Sequence, residues 1–372
     1  MSSQQLTIEF PAISLPPQIF DLASNYPISS FHSLSNIPFP SPADPKFTFI
    51  DLFAGIGGFR LAFQNLGGKC VFSSEIDRYA RITYEANFGE IPSGDITKIS
   101  TNKILNHDIL TGGFPCQAFS IAGRKAGFQD SRGTLFFEIA RILESKKPKA
   151  FFLENVKGLI NHDRGKTLST ILNILRNDLN YFVPEPQVIN AKNFGVPQNR
   201  ERIFIVGFRQ DLQINSFEYP KPILEKKKFI DIREKDVVSA KYYLSTKYLQ
   251  TLIDHRKRHE QKGNGFGYEI ISDNEIANAI VVGGMGKERN LIIDKRLTDY
   301  TPVTKIKGVV NREGIRRMTP REWARLQGYP DNFKIIVADA QAYKQFANSV
   351  ATPAIQAMGK KIIECLVAVR AL

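Results

Sequence analysis

A cysteine directly after a proline, Cys116 in GGFPCQAFS, stands in a loop freed by two glycines and continued by Gln and Ser. A thiol in such a polar setting is open to reaction, whereas a free cysteine is most often a small buried hydrophobe. Cys70 and Cys365 are read in the second way. Glu154 ends the apolar run AFFL. Its carboxyl is therefore either a satisfied polar group of the core or a general acid whose burial holds its proton. DLFAGIGGFR sets Gly55, Gly57 and Gly58 between a strand end and a helix start, which lets backbone approach a nucleotide-like ligand. The fit to GxGxxG fails, because Arg60 takes the third glycine position. Glu75 follows at about the 20-residue distance from which a carboxylate accepts ribose hydroxyls. Asp77 reads as a helix cap, and Asp95 in SGDIT as either a cap or an acceptor for an adenine amino group. A thiol and a carboxyl at strand ends beside a cofactor turn describe nucleophilic chemistry next to a bound nucleotide.

These residues need elements to hold them. KFTFIDLF and CVFSSEID read as strands, and GFRLAFQNLGG as a helix closed by Gly67. RYARITYEANFG is helical, DILTGGF strand-like, GTLFFEIARILESKKP a helix ended by Lys146, Lys147 and Pro148, and AFFLENV a buried strand. Strands alternating with helices predict an α/β fold with a mostly parallel sheet. YFVPEPQVINA and RERIFIVGF predict antiparallel strands closing one edge. The alternation stops after Phe208. KPILEKKKF is a basic linker, and the stretches that follow mix helical pieces with glycine-rich loops, which predicts a second, smaller domain. SVATPAIQAMGKKIIECLVAVRAL has helical spacing and is expected to return to the first domain. The division read from sequence is an extension over 1–45, a catalytic domain over 46–228 plus 345–372, and a small domain over 229–344.

Composition narrows the partners. Lys and Arg number 50 against 37 Asp and Glu, a net charge of +13, which favours a polyanion. Residues 226–317 alone hold 20 of the cations and 12 of the acids, while 1–45 hold no cation. That first stretch is rich in Ser and Pro and is expected to be extended, docking Phe20, Phe31 and Phe39 on the body. No apolar run approaches the ~20 residues of a membrane span, and no basic N-terminus precedes an apolar core. Three cysteines far apart argue against a disulfide framework and a zinc site, so no metal and a reducing cytoplasm are expected.

The ordered series DLFAGIGGFR, SEID, GDIT, GGFPCQAFS, LENV, QNRERIF, RMTPREWARLQGYPD and QFANSVATPAI resembles the DNA (cytosine-5) methyltransferase family, in its compact bacterial restriction-modification form. The likeness covers about 47–228 and 312–372. It implies a Rossmann-like sheet with a small target-recognition domain, S-adenosyl-L-methionine as cofactor and double-stranded DNA as substrate. Cys116 is then the nucleophile toward carbon 6 of a flipped cytosine, Glu154 the group that protonates ring nitrogen 3, and Arg200 and Arg202 the cations that orient the base and Glu154. The cofactor contacts implied are Phe53, Ile56, Gly58, Glu75, Ile76, Asp95, Pro115, Leu135, Asn348, Ser349 and Val350, joined by Tyr329.

The target base lies inside the duplex, so residues 117–134 are expected to form a mobile lid over it, with Gln117, Ser120 and Arg124 meeting the DNA. Gln198 is expected to face the DNA, and Lys287 and Arg289 to read bases. HRKRHEQK, from residue 255, reads as a phosphate-contacting run or as a solvated helix face. A monomer with a cognate restriction endonuclease acting on the same site is expected. Three other readings remain: a transfer-RNA methyltransferase of the same fold, a catalytically silent DNA-binding relative, and a nicotinamide-dependent oxidoreductase suggested by the glycine turn alone.

Overall fold

The β-formers of Phe47–Leu52 make β1, the centre of a sheet whose order explains where ligands can go. The computed structural model describes residues 36–115, 135–283, 286–301 and 308–372. Gly57, at φ 84°, opens α1 (Gly58–Asn65), and Gly67, at φ 91°, turns the chain into β2 (Gly68–Ser74), parallel to β1. Asp77 accepts from the backbone N–H of Tyr79 and Ala80 and caps α2 (Arg78–Phe88). After β3 (Ile109–Gly113), the described chain resumes with α3 (Leu135–Lys146) and passes into β4 (Ala150–Val156) and α4 (Lys166–Asn173).

β5 (Tyr181–Phe182), β6 (Gln187–Asn190), β7 (Gln198–Asn199) and β8 (Glu201–Arg209) follow. Among the described residues the sheet runs β2-β1-β3-β4-β8-β5, with β6 also on β8. The first four strands are parallel, and β8 is antiparallel to β4, β5 and β6. The chain moves from β1 to one side for β2 and to the other for β3. The crevice of such a sheet opens at that reversal, outside the carboxyl ends of the strands.

Alternation along the strands buries both faces. Phe47, Phe49, Phe152 and Phe204 point to one face, where Phe59 and Phe63 of α1 meet Ile355, Met358 and Ile362 of α8 (Thr352–Ala368). Ile50, Leu52, Leu110, Phe151 and Leu153 point to the other, under α3 and α4. Gly359 lets α8 approach α1, since a Cβ there would stand 2.9 Å from Leu66. Cys70 is buried, as expected, while Cys365 is only half-buried on α8.

Beyond β8 the chain is mostly loop, with α5 (Thr246–Gln261), β9 (Ala277–Asn278) paired to β7, and β10 (Leu291–Ile293) paired to β11 (Ile315–Arg317). α6 (Pro320–Leu326) and α7 (Asp339–Asn348) lead back to α8. A further core gathers Ile56, Tyr84 and Phe88 with Phe229, Ile280, Trp323, Phe333 and Phe346. Residues on both sides of the boundary read from sequence at 344 therefore share one core, and Ile37–Leu372 packs as one unit. Phe39 packs on Phe88 and Phe333; Phe20 and Phe31 lie outside the described residues. Arg60, where the dinucleotide fingerprint has glycine, is fully buried and holds Glu90 with two hydrogen bonds at 2.8 and 2.7 Å.

The base of the basic region is ionic. Arg316 is fully buried, grips both carboxylate oxygens of Glu322 at 2.8 Å and reaches Asp294 at 3.0 Å. Glu322 also takes the backbone N–H of Thr319 and Glu234. Removing one partner of such a group strands the opposite charge, at a cost of about 3–5 kcal/mol. Arg316→Ala is expected to lower the urea midpoint accordingly, while Arg256→Ala, on a surface pair with Glu260, shifts it by less than about 1 kcal/mol.

Candidate active site

The sheet register brings the chemistry to one edge. Leu52 pairs with Gly112, Gly113 with Glu154, and Val156 with Arg202. β1, β3 and β4 thus finish side by side, and because β8 runs the other way, its beginning reaches the same edge. Glu154 is two residues after Phe152 and shares its face, toward α1 and α8. Oε1 of Glu154 pairs with Nε of Arg202 at 2.9 Å. Oε2 lies 3.2 Å from where a Cβ on Gly113 would stand, so a larger residue there crowds the carboxylate. Apolar Ile189, Phe204, Val350 and Ile355 line the cleft behind it. Burial raises the Glu154 pKa, and the charges of Arg202 and Arg200 only partly oppose this. The carboxyl keeps its proton to higher pH than a free glutamate.

Arg200 is buried and acts as a clasp. It donates to the carbonyls of Ile280 at 3.1 Å, Ala347 at 3.1 Å and Ser349 at 2.6 Å, and reaches Glu154 through its charge. Burial, then the like charge of Arg202, lowers its pKa to about 9, which leaves it cationic at neutral pH. Gln198 requires a correction. It is fully buried, donates to the carbonyl of Leu326 at 2.8 Å and accepts from the N–H of Ile280 at 3.1 Å, so its amide faces the interior and not DNA. The sequence reads as a polar strand end, but the turn into β8 folds beneath α6.

The two base readers expected from sequence each have a partner within the chain, and Arg289 is exposed. The Lys287 ammonium sits 4.5 Å above the Tyr343 ring, and Arg289 holds Glu269 at 3.0 Å. Cys116, Gln117, Ser120, Arg124 and the expected lid lie outside the described residues. Pro115, exposed, is the last described residue before them, and Leu135, half-buried, opens α3 after them.

On the β1 side the turn forms a crevice. Phe53 adopts φ 55°, a conformation that costs a bulky residue about 1–3 kcal/mol and clusters at ligand sites. Gly55 donates its N–H to Glu75 at 2.8 Å, and Asp77 donates to the other carboxylate oxygen at 2.7 Å. Glu75 is thus fixed at the lip with lone pairs left for hydroxyls. Ile76 beside it is 73% exposed, an apolar plate with nothing over it. Asp95 caps a short turn by accepting from Thr97, which answers the first of its two readings. The Ile56 side chain is buried in the core that holds Tyr84 and Phe88, so what it offers a ligand is its backbone.

Tyr329 and Ser349 share a hydrogen bond of 2.5 Å under Gly58. Ser349 and Val350 are buried, and Asn348 is exposed at the end of α7. A nucleoside with a charged tail fits this set. Among the described residues nothing stands within 4 Å of a Cβ built on Gly55, and the buried Ser74 hydroxyl has no hydrogen-bond partner. A Cβ on Gly58 would come within 2.6 Å of Val350 and 2.8 Å of the Tyr329 hydroxyl. Gly58→Ala is therefore expected to push this wall outward and weaken S-adenosylmethionine binding by at least about tenfold, the factor 1.4 kcal/mol of strain supplies, measured by calorimetry.

Two positioning residues escaped the reading of the sequence. Asn155 donates to the carbonyl of Phe114 at 2.9 Å and so anchors the start of the Pro-Cys loop beside Glu154. Gln327 donates to the carbonyls of Phe346 and Ser349 and meets Gln198. Both lie inside quoted motifs, LENV and RLQGYPD, where neighbours with more obvious chemistry drew the attention.

The comparisons agree with this geometry. The family model described as C-5 cytosine-specific DNA methylase matches residues 47–364. The type II methyltransferase M.HpaII of Haemophilus parainfluenzae is 69% identical over 323 residues, covering 86% of this chain and 90% of that protein. M.HhaI of Haemophilus parahaemolyticus is 44% identical over 313 residues, covering 83% and 91%. The crystal structure of S. pombe Dnmt2 methyltransferase superposes with a TM-score of 0.63 at 18% identity, over 87% of this chain and 99% of that one, which shows the fold alone. A match across the glycine turn, the Glu154 strand and the returning α8 identifies the chain as a member of the C-5 cytosine-specific DNA methylase family.

Proposed function

We propose that this chain methylates carbon 5 of one cytosine within a defined sequence of duplex DNA, as the modification arm of a restriction-modification system. The observation that carries the reading is the buried Glu154, paired with Arg202 at the carboxyl ends of β3 and β4, one strand from the residues that lead into Cys116. Glu75, the turn from Phe53 to Gly58 and the Ser349–Val350 wall hold S-adenosylmethionine, whose sulfonium supplies an electrophilic methyl group to carbon 5.

Carbon 5 of cytosine is a poor nucleophile, and this chain's residues activate it. The Cys116 thiolate adds to carbon 6 while Glu154 gives its proton to nitrogen 3, so the ring's electrons move to carbon 5. After methylation the proton on carbon 5 leaves to solvent, the bond from sulfur to carbon 6 breaks with release of the thiolate, and nitrogen 3 returns its proton to Glu154. Arg202 holds the Glu154 carboxyl in place, and Arg200 ties the start of β8, from which Arg202 projects, to the carbonyls of Ile280, Ala347 and Ser349. The thiol must be ionised and Glu154 protonated, which predicts a bell-shaped profile of kcat/KM against pH. Because the raised pKa of Glu154 sets the alkaline limb, Glu154→Gln is expected to lose that limb and about 10²–10³ in kcat.

The exposed cations of α5, Lys257 and Arg258, suit DNA phosphates, and the relatives' names as type II methyltransferases support a cognate endonuclease. Among the described residues no helix is long and apolar enough to cross a membrane. The test is expression in a methylation-free bacterial host followed by bisulfite sequencing. One protected cytosine context is expected; the absence of any sinks the reading.

A further inference from the structure

Asp51 is fully buried, and among the described residues no side chain hydrogen-bonds to either carboxylate oxygen; the backbone N–H of Arg60 gives it only a weak contact. It stands one residue before the end of β1, at the strand where the sheet order reverses and the crevice opens. Its alternation with Phe47 and Phe49 turns it to the face of α1 and α8, the face that Glu154 shares two strands away. The charged and titratable groups around it are Arg60 on α1, Glu75 after β2, Cys70 on β2, Tyr84 on α2 and Tyr329 after α6. Arg60 opposes the cost of burial with its charge and its backbone N–H but does not offset it. Arg60 spends its guanidinium on Glu90 and Gln64, and Glu75 adds a second negative charge.

An ionised carboxylate in such a place costs several kcal/mol unless a cation arrives. Burial keeps its pKa well above the ordinary carboxylate range; the charge and the backbone N–H of Arg60 pull against this without overcoming it, and the smaller repulsion of Glu75 adds to the rise. A cation does arrive in the established reaction. S-adenosylmethionine carries a sulfonium, and the thioether left after transfer carries none. We propose that Asp51 is a charge sensor for the methyl donor: neutral in the free enzyme, ionised while a sulfonium occupies the crevice, and neutral again over the thioether product.

The proton balance is simple. On donor binding the Asp51 carboxyl releases its proton to solvent and its charge offsets the sulfonium. When the methyl group leaves, sulfur keeps the bonding pair and its charge is gone, so the carboxylate takes a proton back from solvent. The enzyme thereby holds the donor more tightly than the product, and product leaves a site that has returned to its neutral state. Below the raised pKa, donor affinity climbs with pH because a proton must be lost; affinity for the thioether stays flat.

This inference rests on the donor lying at the β1 turn. The test is calorimetry of the full chain at several pH values, in buffers of different ionisation enthalpy, with S-adenosylmethionine and separately S-adenosylhomocysteine. The expected result is proton release with the first ligand, little or none with the second, and a donor-to-product affinity ratio that grows with pH. Asp51→Asn keeps the shape and removes the charge, and is expected to abolish the proton release and lower the ratio by at least about tenfold, the equivalent of one pKa unit. Equal proton counts for the two ligands in the parent enzyme overturn the proposal, whether or not the variant folds. So does an unchanged affinity ratio in the variant. Failure of both ligands to bind removes the crevice itself, an outcome distinguishable from bound ligands without proton linkage.

Discussion

Cys116→Ala is expected to reduce methyl transfer by at least about 10⁴-fold, the scale on which loss of a covalent nucleophile acts, and to leave no trapped complex on DNA carrying 5-fluorocytosine. Fluorine cannot leave carbon 5 as a cation, so elimination stops and the parent enzyme stays bonded to carbon 6. A free thiol of pKa near 8.5 is only a few per cent ionised at neutral pH, so a cationic neighbourhood would raise the reactive fraction. Serine does not substitute, because its hydroxyl ionises far above any working pH. Cys116→Ser is therefore expected to fail alongside alanine while both variants still bind cofactor. Denaturing gels of enzyme mixed with fluorinated duplex give the answer. A covalent band that persists in Cys116→Ala assigns the nucleophile elsewhere.

The sheet was legible because its strands carry the signals physics requires. AFFLENV is buried on both faces and reads as an uninterrupted apolar run, and DLFAGIGG changes from strand period to turn glycines within a few residues. The antiparallel edge also followed from the sequence, since RERIFIVGF comes soon after another strand without a crossover helix between them. What local pattern could not supply was partnership at long range. Arg200 and Gln198 look like surface residues in QNRERIF, but their partners, Ile280, Ala347 and Leu326, lie about 80 to 150 residues away in sequence. Lys287 and Arg289 have nearer partners, Tyr343 and Glu269, that local pattern likewise does not reveal. Asp51 is not legible as special in DLFAGIGG, because nothing local distinguishes a carboxyl buried without a charged side-chain partner from a capping one.

A chain ending at Lys344 is expected not to fold and not to bind S-adenosylmethionine. The missing segment carries Phe346, Val350, Ile355, Met358, Ile362 and Leu366, all buried. At about 1.5–3 kcal/mol each, their loss amounts to roughly 9–18 kcal/mol, as large as the whole stability of a typical domain at about 5–15 kcal/mol. The damage is also local. Arg200 would lose the carbonyls of Ala347 and Ser349 and be left charged in the interior, and Tyr329 would lose Ser349 from beneath Gly58. Circular dichroism and cofactor calorimetry on the truncated chain measure the two effects. Met358→Asp, which places a charge at a fully buried position of α8, separates them from simple shortening, because it keeps every residue of the crevice wall yet removes its support. Comparable S-adenosylmethionine affinity in the truncated chain would show that the returning helix does not build the cofactor site.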